Sequence, residues 1–431
     1  MSKSVRSLSG AARPLALAAL SVAVAGALLP NAANASAFQL KENTTQGLGR
    51  AYAGSATAGN DVSVVANNPA AMSDLDGTYF QADVTAINFS AKFKGSSHDV
   101  LGRPINGGNG GDAGTTLPVP AFALSTKVSD RVNLGIAFDA PFGFQTEYDN
   151  NWMGRYDAIK TKLQSLDATL SASFKINDQW SVGVSAIAER TSAELTNAIN
   201  FNAVGLKVQQ GIAQQAQAQI QAAVAQVQAG MAAGQIPTAT GAAMIQQIVA
   251  QGTAQAQAAA AGVAALTPQG ADGMARVKGD NWAWGWQVGT YWKPTANDRV
   301  ALDYRSRISH DIDGTANFTT TPGYDLLLAN PALAGSIPAF QHTTGTARLT
   351  NPATATLSYW HHEDKFGIGG DLAWTQWSVM RELTVNYANP SQPDTTLPFN
   401  WRDTWYASIG GEYYATNQLT LRAGFAIDQA P

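Results

Sequence analysis

The feature that most constrains the fold is a long segment, residues 298–313, in which side chains alternate between two characters. One parity carries apolar side chains, whereas the other carries Asp and Arg. A period of two predicts a β-strand with one apolar face and one charged face. Strands of ordinary globular proteins have about five or six residues. The segment is therefore too long for a typical globular sheet.

Similar alternation recurs along the chain, with connections that alternate between tight turns and long loops. The pattern predicts eleven strands, near 78–94, 117–128, 131–140, 162–176, 180–198, 275–293, 298–318, 345–360, 365–387, 402–415 and 418–428. Short turns at one end and long loops at the other are typical of bacterial outer-membrane barrels. The predicted fold is all-β, an antiparallel transmembrane β-barrel. A soluble β-sandwich or β-helix is the alternative, but the charged strand face and the loop asymmetry argue against it.

Aromatic side chains gather at the predicted short-turn ends, as expected of a girdle at a lipid–water interface. They are Trp180, Tyr291, Trp292, Tyr359, Trp360, Tyr413 and Tyr414.

Composition excludes several classes of protein. Charged residues make up 13% of the chain, about half the usual share, and the net charge is -4. This balance disfavours both disorder and nucleic-acid binding. The absence of Cys rules out disulfides and thiolate metal sites. Gly-rich phosphate loops, G-x-S-x-G and H-E-x-x-H are also absent, so we expect no catalytic residue, metal or cofactor.

The amino terminus predicts export from the cytoplasm. Lys3, Arg6 and Arg13 precede an apolar stretch, 14–29, and an A-x-A site follows at Ala33 to Ala35. These are the parts of a secretory signal peptide, which we assign to residues 1–35. A membrane anchor is the alternative, but the apolar stretch is short for a spanning helix.

Two further segments lack the strand pattern. Residues 36–77 are rich in Gly, Ala and Asn, and they could hang in the periplasm or fold back as a plug. Residues 206–265 are rich in Ala and Gln, with apolar side chains at helical spacing and a break at Gly234 to Pro237. We expect a helical hairpin in an outward loop, which either caps the barrel mouth or is an insertion without a role. The remaining residues, 78–431, would form the barrel.

Particular motifs resemble those of the FadL family of outer-membrane transporters for long-chain fatty acids and other hydrophobic compounds. The stretches 38–54 and 67–72 are similar to that family's amino-terminal hatch, and 139–148 to its third strand and following loop. Residues 282–314, 400–414 and 421–431 also fit. The family has fourteen strands against the eleven found here, so the resemblance implies a chain truncated at its carboxyl end.

The resemblance implies passive, energy-independent uptake through an apolar outer groove, an internal pocket and a sideways exit in the wall. Phe38 matches an aromatic that the family inserts near the pocket, although it could simply pack the plug. Asn68, Pro69 and Ala70 match the hatch motif, which could also be a structural turn. Pro141, Phe142 and Gly143 match the kink of the third strand, where the alternative is a simple strand end. The implied location is the outer membrane, with the chain as a monomer among lipid and lipopolysaccharide after insertion by the assembly machinery.

A carboxylate partner is harder to place from the sequence. Arg402 and Arg190 are the candidates, because Arg binds carboxylates through two hydrogen bonds. Arg190 shares parity with outward side chains and needs a bulge to point inward, and Arg402 could instead pair with Asp403. The alternation at Asp303, Arg305, Arg307 and Asp311 predicts a lumen-facing network of salt bridges rather than an ion pathway. The sequence thus leaves open uptake of aromatic or xenobiotic hydrocarbons, and a structural or adhesive outer-membrane protein.

Overall fold

The computed structural model describes residues 37–431 except 58–60, 100, 332, 334–336, 391 and 393. The predicted signal peptide, 1–35, lies outside the described residues. The strands are β1 (Thr78–Asn88), β2 (Thr116–Ser129), β3 (Val132–Asp139), β4 (Gly143–Glu147), β5 (Lys160–Lys175), β6 (Trp180–Asn200), β7 (Asp272–Trp292), β8 (Asp298–Arg305), β9 (Ile308–Thr319), β10 (Thr343–Asn351), β11 (Thr354–His362), β12 (Phe366–Thr375), β13 (Glu382–Tyr387), β14 (Thr395–Pro398), β15 (Thr404–Tyr414) and β16 (Thr420–Asp428). The helices are α1 (Thr45–Gly49), α2 (Val64–Asn67), α3 (Phe201–Ala232), α4 (Thr238–Leu266) and α5 (Pro322–Leu328), with short 3-10 helices at Pro69–Asp74 and Trp377–Val379.

All sixteen strands belong to one antiparallel sheet. Its main path runs β1-β2-β3-β5-β6-β7-β8-β11-β12-β15-β16, and the five other strands continue their neighbours toward the long loops. Within the described residues, β1 pairs only with β2, and β16 pairs only with β15. No helix in the described parts of the chain is long and apolar enough to cross a membrane.

The sheet curls around the amino-terminal segment, residues 37–77, because strands from both of its edges contact that segment. The Gln81 amide of β1 donates to Asp61 at 3.1 Å. Arg50 bonds both Asp61, at 3.3 Å, and Glu412 of β15, at 2.7 Å. The segment is therefore enclosed by the wall. It fills the end of the lumen nearest the short turns, where Asp74 bonds Lys293 in the turn before β8.

Several predicted strands are interrupted. The segment 298–318 divides into β8 and β9, 345–360 into β10 and β11, and 365–387 into β12 and β13. The short strands β4 and β14 lie in predicted loops. The break after β8 adds one residue relative to β7, since Gln287 pairs with Arg305 whereas Asp280 pairs with Asp313. An extra residue exchanges the two faces of the following strand.

The predicted charge ladder on 298–313 is therefore wrong in its outer half. Asp303 and Arg305 face the lumen, as expected. Beyond the bulge the parity is reversed: His310 is buried, whereas Asp311 faces outward and pairs with Arg348. Arg307 is exposed.

The predicted aromatic girdle is also only partly confirmed, because its side chains point to both faces of the sheet. Trp180, Tyr359 and Tyr413 are exposed on the outer face. Tyr291 and Trp360, however, are buried against the amino-terminal segment: the Tyr291 hydroxyl donates to Asp74, and Trp360 lies 5.3 Å from the Arg50 guanidinium.

The helices α3 and α4 form the hairpin that the Ala/Gln-rich segment predicts. The turn between them, 233–237, contains the predicted break. At the base of the hairpin, Phe201 stacks on Tyr324 of α5 with ring centroids 4.0 Å apart. Val208, Val263 and Leu327 extend this packing along α3 and α4. The hairpin is thus anchored to the loop that follows β9.

Candidate functional site

The wall is broken between β3 and β4, at residues 140–142. The β3–β5 ladder ends at the pair Asp139–Asp167, and the β4–β5 ladder begins at Gly143–Gln164. Three residues therefore stand opposite two on β5. Ser165 stabilises this bulge, because its hydroxyl accepts from the Phe142 amide at 3.0 Å and its own amide donates to the Phe142 carbonyl.

On the other side of this break, a gap in the hydrogen bonding separates β2 from β4. The β2–β3 ladder stops at the pair Phe122–Phe138, and β4 makes no ladder with β2. The outer half of β2 contains Pro118 and Pro120, each of which lacks a backbone N–H and so removes one possible ladder bond. Prolines in this position suit a strand that borders a gap in a sheet.

Phe38 lies behind the break, in an apolar cluster formed by Phe38, Phe142, Leu163, Ile312, Leu349, Trp377 and Met380. Its ring centroid is 4.9 Å from that of Trp377, 5.6 Å from that of Trp401 and 5.9 Å from that of Phe142. Such edge and tilted contacts are favourable geometries for aromatic pairs. The structure thus brings two of the predicted site residues, Phe38 and Phe142, into one cluster.

The backbone around Phe38 pairs with the broken strand. The Leu40 amide donates to the Pro141 carbonyl, and the Gly143 amide donates to the Phe38 carbonyl, both at 2.8 Å. Gln39 and Phe142 form an antiparallel bridge. The beginning of the described chain therefore supplies the hydrogen bonds that the kinked strand lacks.

An apolar cavity adjoins the cluster on the long-loop side. Its volume is about 50 Å³, and residues from six strands line it, among them Leu163, Ala193, Leu349, Leu383 and Val385. Ligand sites usually measure about 300 to 1,000 Å³. A long ligand would therefore fit only if side chains of the cluster moved.

A buried polar layer separates the cluster, to which Phe38 belongs, from residues 61–77 of the amino-terminal segment. Arg305 bonds Asp167 at 2.6 Å and Glu189 at 2.8 Å. His310 Nε2 lies 2.8 Å from Glu189, which also accepts from the Asn351 amide at 2.7 Å. The partners of Arg305 in this layer are fully or almost fully buried and Arg305 itself is mostly buried, so each polar group depends on its partners.

Strand β6 meets the amino-terminal segment, the polar layer and the apolar cavity in that order along its length. On β6, Gly183 contacts the amino-terminal segment, Glu189 belongs to the polar layer, and Ala193 borders the apolar cavity. From the short turns toward the long loops, the lumen is thus filled by residues 61–77 of the amino-terminal segment, then by the polar layer, and then by the apolar cluster that includes Phe38.

The Asn-Pro-Ala sequence lies apart from the apolar cluster, at the short-turn end. The Asn68 side-chain amide donates to the carbonyls of Ala56 and Thr290, and its oxygen accepts from the Ala70 amide at 3.1 Å. Pro69 and Ala70 begin the 3-10 helix. A Cβ on Gly183 would overlap the Ala70 amide nitrogen. This motif therefore fixes the amino-terminal segment against β6 and β7.

Neither predicted carboxylate partner lies in the cavity lining. Arg190 is on the outward parity of β6, is about half exposed, and pairs with Asp280 at 3.0 Å, since β6 has no bulge that would turn it inward. Arg402 is exposed and does not pair with Asp403, whose carboxylate accepts from the Ser378 amide instead. The bulge that an inward-pointing Arg190 would need is absent, so Arg190 stays on the outward parity that the sequence indicated.

Besides the two candidates Arg190 and Arg402, another cation, Lys41, lies inside the lumen. Its ammonium is 4.3 Å from the ring centroid of Tyr406. Burial lowers the pKa of Lys41 below its ordinary value, and the charges of Asp428, Asp371 and Glu42 oppose that shift.

Much of this site could not be predicted from the sequence. Trp377 and Met380 were hidden in a segment predicted as one continuous strand, and Trp401 lay outside the predicted strands, next to the one that begins at residue 402. The polar layer had a usable signal, because Asp167 and Glu189 carry charge on the strand parity opposite the apolar one. Pro118 and Pro120, two prolines in one strand, signalled the gap.

A family model for outer-membrane transport proteins, described as OMPP1/FadL/TodX, matches residues 26–431. The chain belongs to this family. Members are transport proteins of the outer membrane, which confirms the predicted location and the prediction that the chain is not an enzyme.

Two relatives show how similar family members are. The chain is 27% identical over 412 residues to a long-chain fatty acid transport protein of Escherichia coli O6:H1, covering 95% of this chain and 81% of that protein. It is also 27% identical over 421 residues to outer membrane protein P1 of Haemophilus influenzae, covering 95% and 80%.

Solved structures confirm the predicted β-barrel class. A Pseudomonas aeruginosa FadL homologue is 27% identical, with a TM-score of 0.71 over 92% of this chain and 82% of that one. The Ralstonia pickettii toluene transporter TbuX shares the fold, at 21% identity and a TM-score of 0.54 over 86% and 82%.

Proposed function

We propose that this family member is a passive channel for long-chain fatty acids or similar hydrophobic compounds, which leave sideways through the break at residues 140–142. The observation that carries the proposal is an apolar cavity and cluster placed directly behind that break. Phe38 closes the route from inside, and the backbone at Gln39 and Leu40 completes the wall. Passage therefore requires that residues 38–40 leave the broken strand.

The energetics of such a route match an apolar ligand. Burying one CH₂ contributes about 0.8 kcal/mol, so a long acyl chain can be held without polar contacts. Aromatic pairs contribute about 0.5–1.5 kcal/mol each, which is small enough for a ligand to replace the contacts of Phe38. An apolar ligand can thus exchange places with the ring at little net cost.

The same proposal assigns roles along the chain. Residues 36–77 act as the hatch, with Asn68, Pro69 and Ala70 holding it to the wall. Pro141, Phe142 and Gly143 form the exit, residues 78–431 form the wall, and 206–265 belong to an extracellular loop. Insertion by the outer-membrane assembly machinery, lipopolysaccharide as the surrounding lipid, and action as a monomer complete the proposal.

A second candidate is uptake of neutral aromatic or other hydrocarbons by the same route. One cation, Lys278, is among the described residues that line the cavity, and it lies on the outward parity of β7. The polar layer beside the cluster contains more carboxylates than cations. This balance gives a fatty-acid carboxylate no matched partner there, which favours a neutral ligand.

Binding and uptake of oleate and toluene by the purified protein and by cells test the proposal. We expect Phe142→Ala to change uptake of at least one ligand several-fold, while Phe366→Ala, a lipid-facing control on β12, leaves it unchanged. Binding of both ligands with no effect of Phe142→Ala would contradict the exit. Tight oleate binding that is lost in Arg402→Ala would favour fatty acids over hydrocarbons.

A further inference from the structure

The outward face of β5, β6 and β7 shows where the apolar membrane layer ends. On β7 the outward side chains from Trp282 to Trp292 are mainly apolar, and Trp284 is the most exposed of the three central Trp residues. Ten residues at about 3.4 Å each, tilted by about 40°, span roughly 25 Å, which is the height of the apolar band of such barrels. Trp292 stacks on Trp180 at the short-turn boundary. The outer boundary therefore falls near Trp282.

Four cations lie on this outward face just beyond that boundary. Lys162 and Lys278 both stand directly opposite Glu194, on its two sides, and Lys160 and Arg276 both stand opposite Thr196, one row further out. Neighbouring strands are about 4.8 Å apart, and alternate residues on one strand about 7 Å. The four side chains thus share one patch about 10 Å across, here called the basic patch.

The charges of the basic patch are only partly balanced. Arg276 bonds Glu194 at 2.9 Å, and Lys160 bonds Glu147 at 3.0 Å. Within the described residues, Lys162 and Lys278 are in no ion pair, although both flank Glu194. The patch therefore presents two ammonium groups that form no ion pair within the described residues, next to a Trp-lined apolar surface.

We propose that the basic patch binds the phosphate groups of lipopolysaccharide in the outer leaflet. The patch lies at the height where those phosphates begin, and its charge is opposite to theirs. Ammonium groups are donors without acceptors, which suits multiply charged phosphate oxygens. The acyl chains of the same molecule would cover Trp282 and Trp284. This inference rests on the outer-membrane location and is independent of which ligand is transported.

A direct test measures binding of diphosphorylated lipid A to the delipidated full chain in a neutral detergent. The test variant is Lys162→Gln/Lys278→Gln. The matched control is Lys175→Gln/Lys365→Gln, which removes two lysines at the short-turn end. We expect the test variant to bind roughly thirtyfold more weakly, because each lysine near an anionic surface contributes about a factor of five. The control should bind like the unaltered chain, and all three should unfold at the same temperature.

Three comparisons decide the result. Weaker binding of lipid A lacking its phosphates, together with a loss of affinity at high salt, supports phosphate recognition. Equal binding by the test variant and the control would overturn the proposal. A drop in oleate binding without a drop in lipid A binding would also overturn it, because the patch would then serve fatty-acid capture. Uptake of the transported ligand by Lys162→Gln alone should be unchanged, because Lys162 is not among the residues that line the cavity. This measurement separates the inference from the proposed exit.

Discussion

The two ends of the lumen are filled in different ways. Near the short turns, the amino-terminal segment is held by directional bonds: Arg50 to Glu412, Asn68 to Thr290, and Asp74 to Lys293. Toward the long loops, Phe38 and Trp377 pack by apolar contact and leave a cavity. Directional buried bonds fix one geometry, whereas apolar contacts can be exchanged for those of a ligand.

This difference suits the proposed exit, in which one part of the amino-terminal segment stays bound to the wall while the chain near Phe38 detaches. The polar layer at Arg305 lies between the apolar cluster and residues 61–77, so on this proposal movement of the cluster would not disturb those residues. The following changes test that division, from the largest expected effect to the smallest.

Removing Arg50 should have the largest effect, because it would leave the buried carboxylate of Asp61 without its cation and would leave Arg422 as the remaining cationic partner of Glu412. We expect Arg50→Ala to lower the free energy of unfolding by about 3–5 kcal/mol. Urea unfolding in detergent measures this. Arg348→Ala is the control, since it breaks an exposed pair with Asp311 and should leave the midpoint unchanged. Similar midpoints for the two variants would contradict the division.

Adding a side chain at Gly183, on the inner face of β6, should displace the amino-terminal segment. We expect Gly183→Ala to cost about 1–3 kcal/mol, because the new methyl group overlaps the Ala70 backbone. Protease cleavage within residues 37–77 should become faster. The control Gly211→Ala, on α3, meets no neighbour within 4 Å and should be neutral or slightly stabilising. Unchanged cleavage of the Gly183 variant would show that the hatch is not seated as described.

Filling the cavity should weaken ligand binding more than it lowers the stability of the fold. We expect Ala193→Phe to displace about two methylenes of an acyl chain, worth about 1.6 kcal/mol, and so to weaken binding roughly fifteenfold. Calorimetry with oleate or a long alkane measures the affinity. Ala186→Phe, on the outward face of the same strand, is the control. Full affinity in Ala193→Phe would place the ligand elsewhere.

The fold was largely predictable, because few architectures besides a membrane barrel combine long period-two alternation with loops of unequal length at the two ends. The helical hairpin was also predictable from Ile220, Val224 and the break before Pro237. The strand breaks were not, because a bulge leaves the alternation intact on each side. A single added residue after Arg305 turned Asp311 outward, although the alternation predicted that it faces the lumen.

The site was predictable only where a motif marked it. Phe38 and Phe142 could be singled out by resemblance, yet their contact joins distant parts of the chain. Trp377 looked like an ordinary strand residue. It reaches the apolar cluster because the strand breaks at Gln376 to Arg381, and that break depends on tertiary packing. Arg190 lies on the outward parity that the alternation indicated, and the sequence alone could not show whether a bulge would turn it inward.

The measurement that tests the central claim most directly is uptake by a chain tethered at the break. Because the sequence has no Cys, Gln39→Cys/Phe142→Cys introduces one disulfide, and the antiparallel bridge between these residues suits its geometry. Oxidised protein should transport no ligand, and reduction of the same sample should restore uptake while the unfolding midpoint shows an intact hatch in both states. Equal uptake in the oxidised and reduced states would contradict the account, since the ligand would then pass without moving residues 38–40.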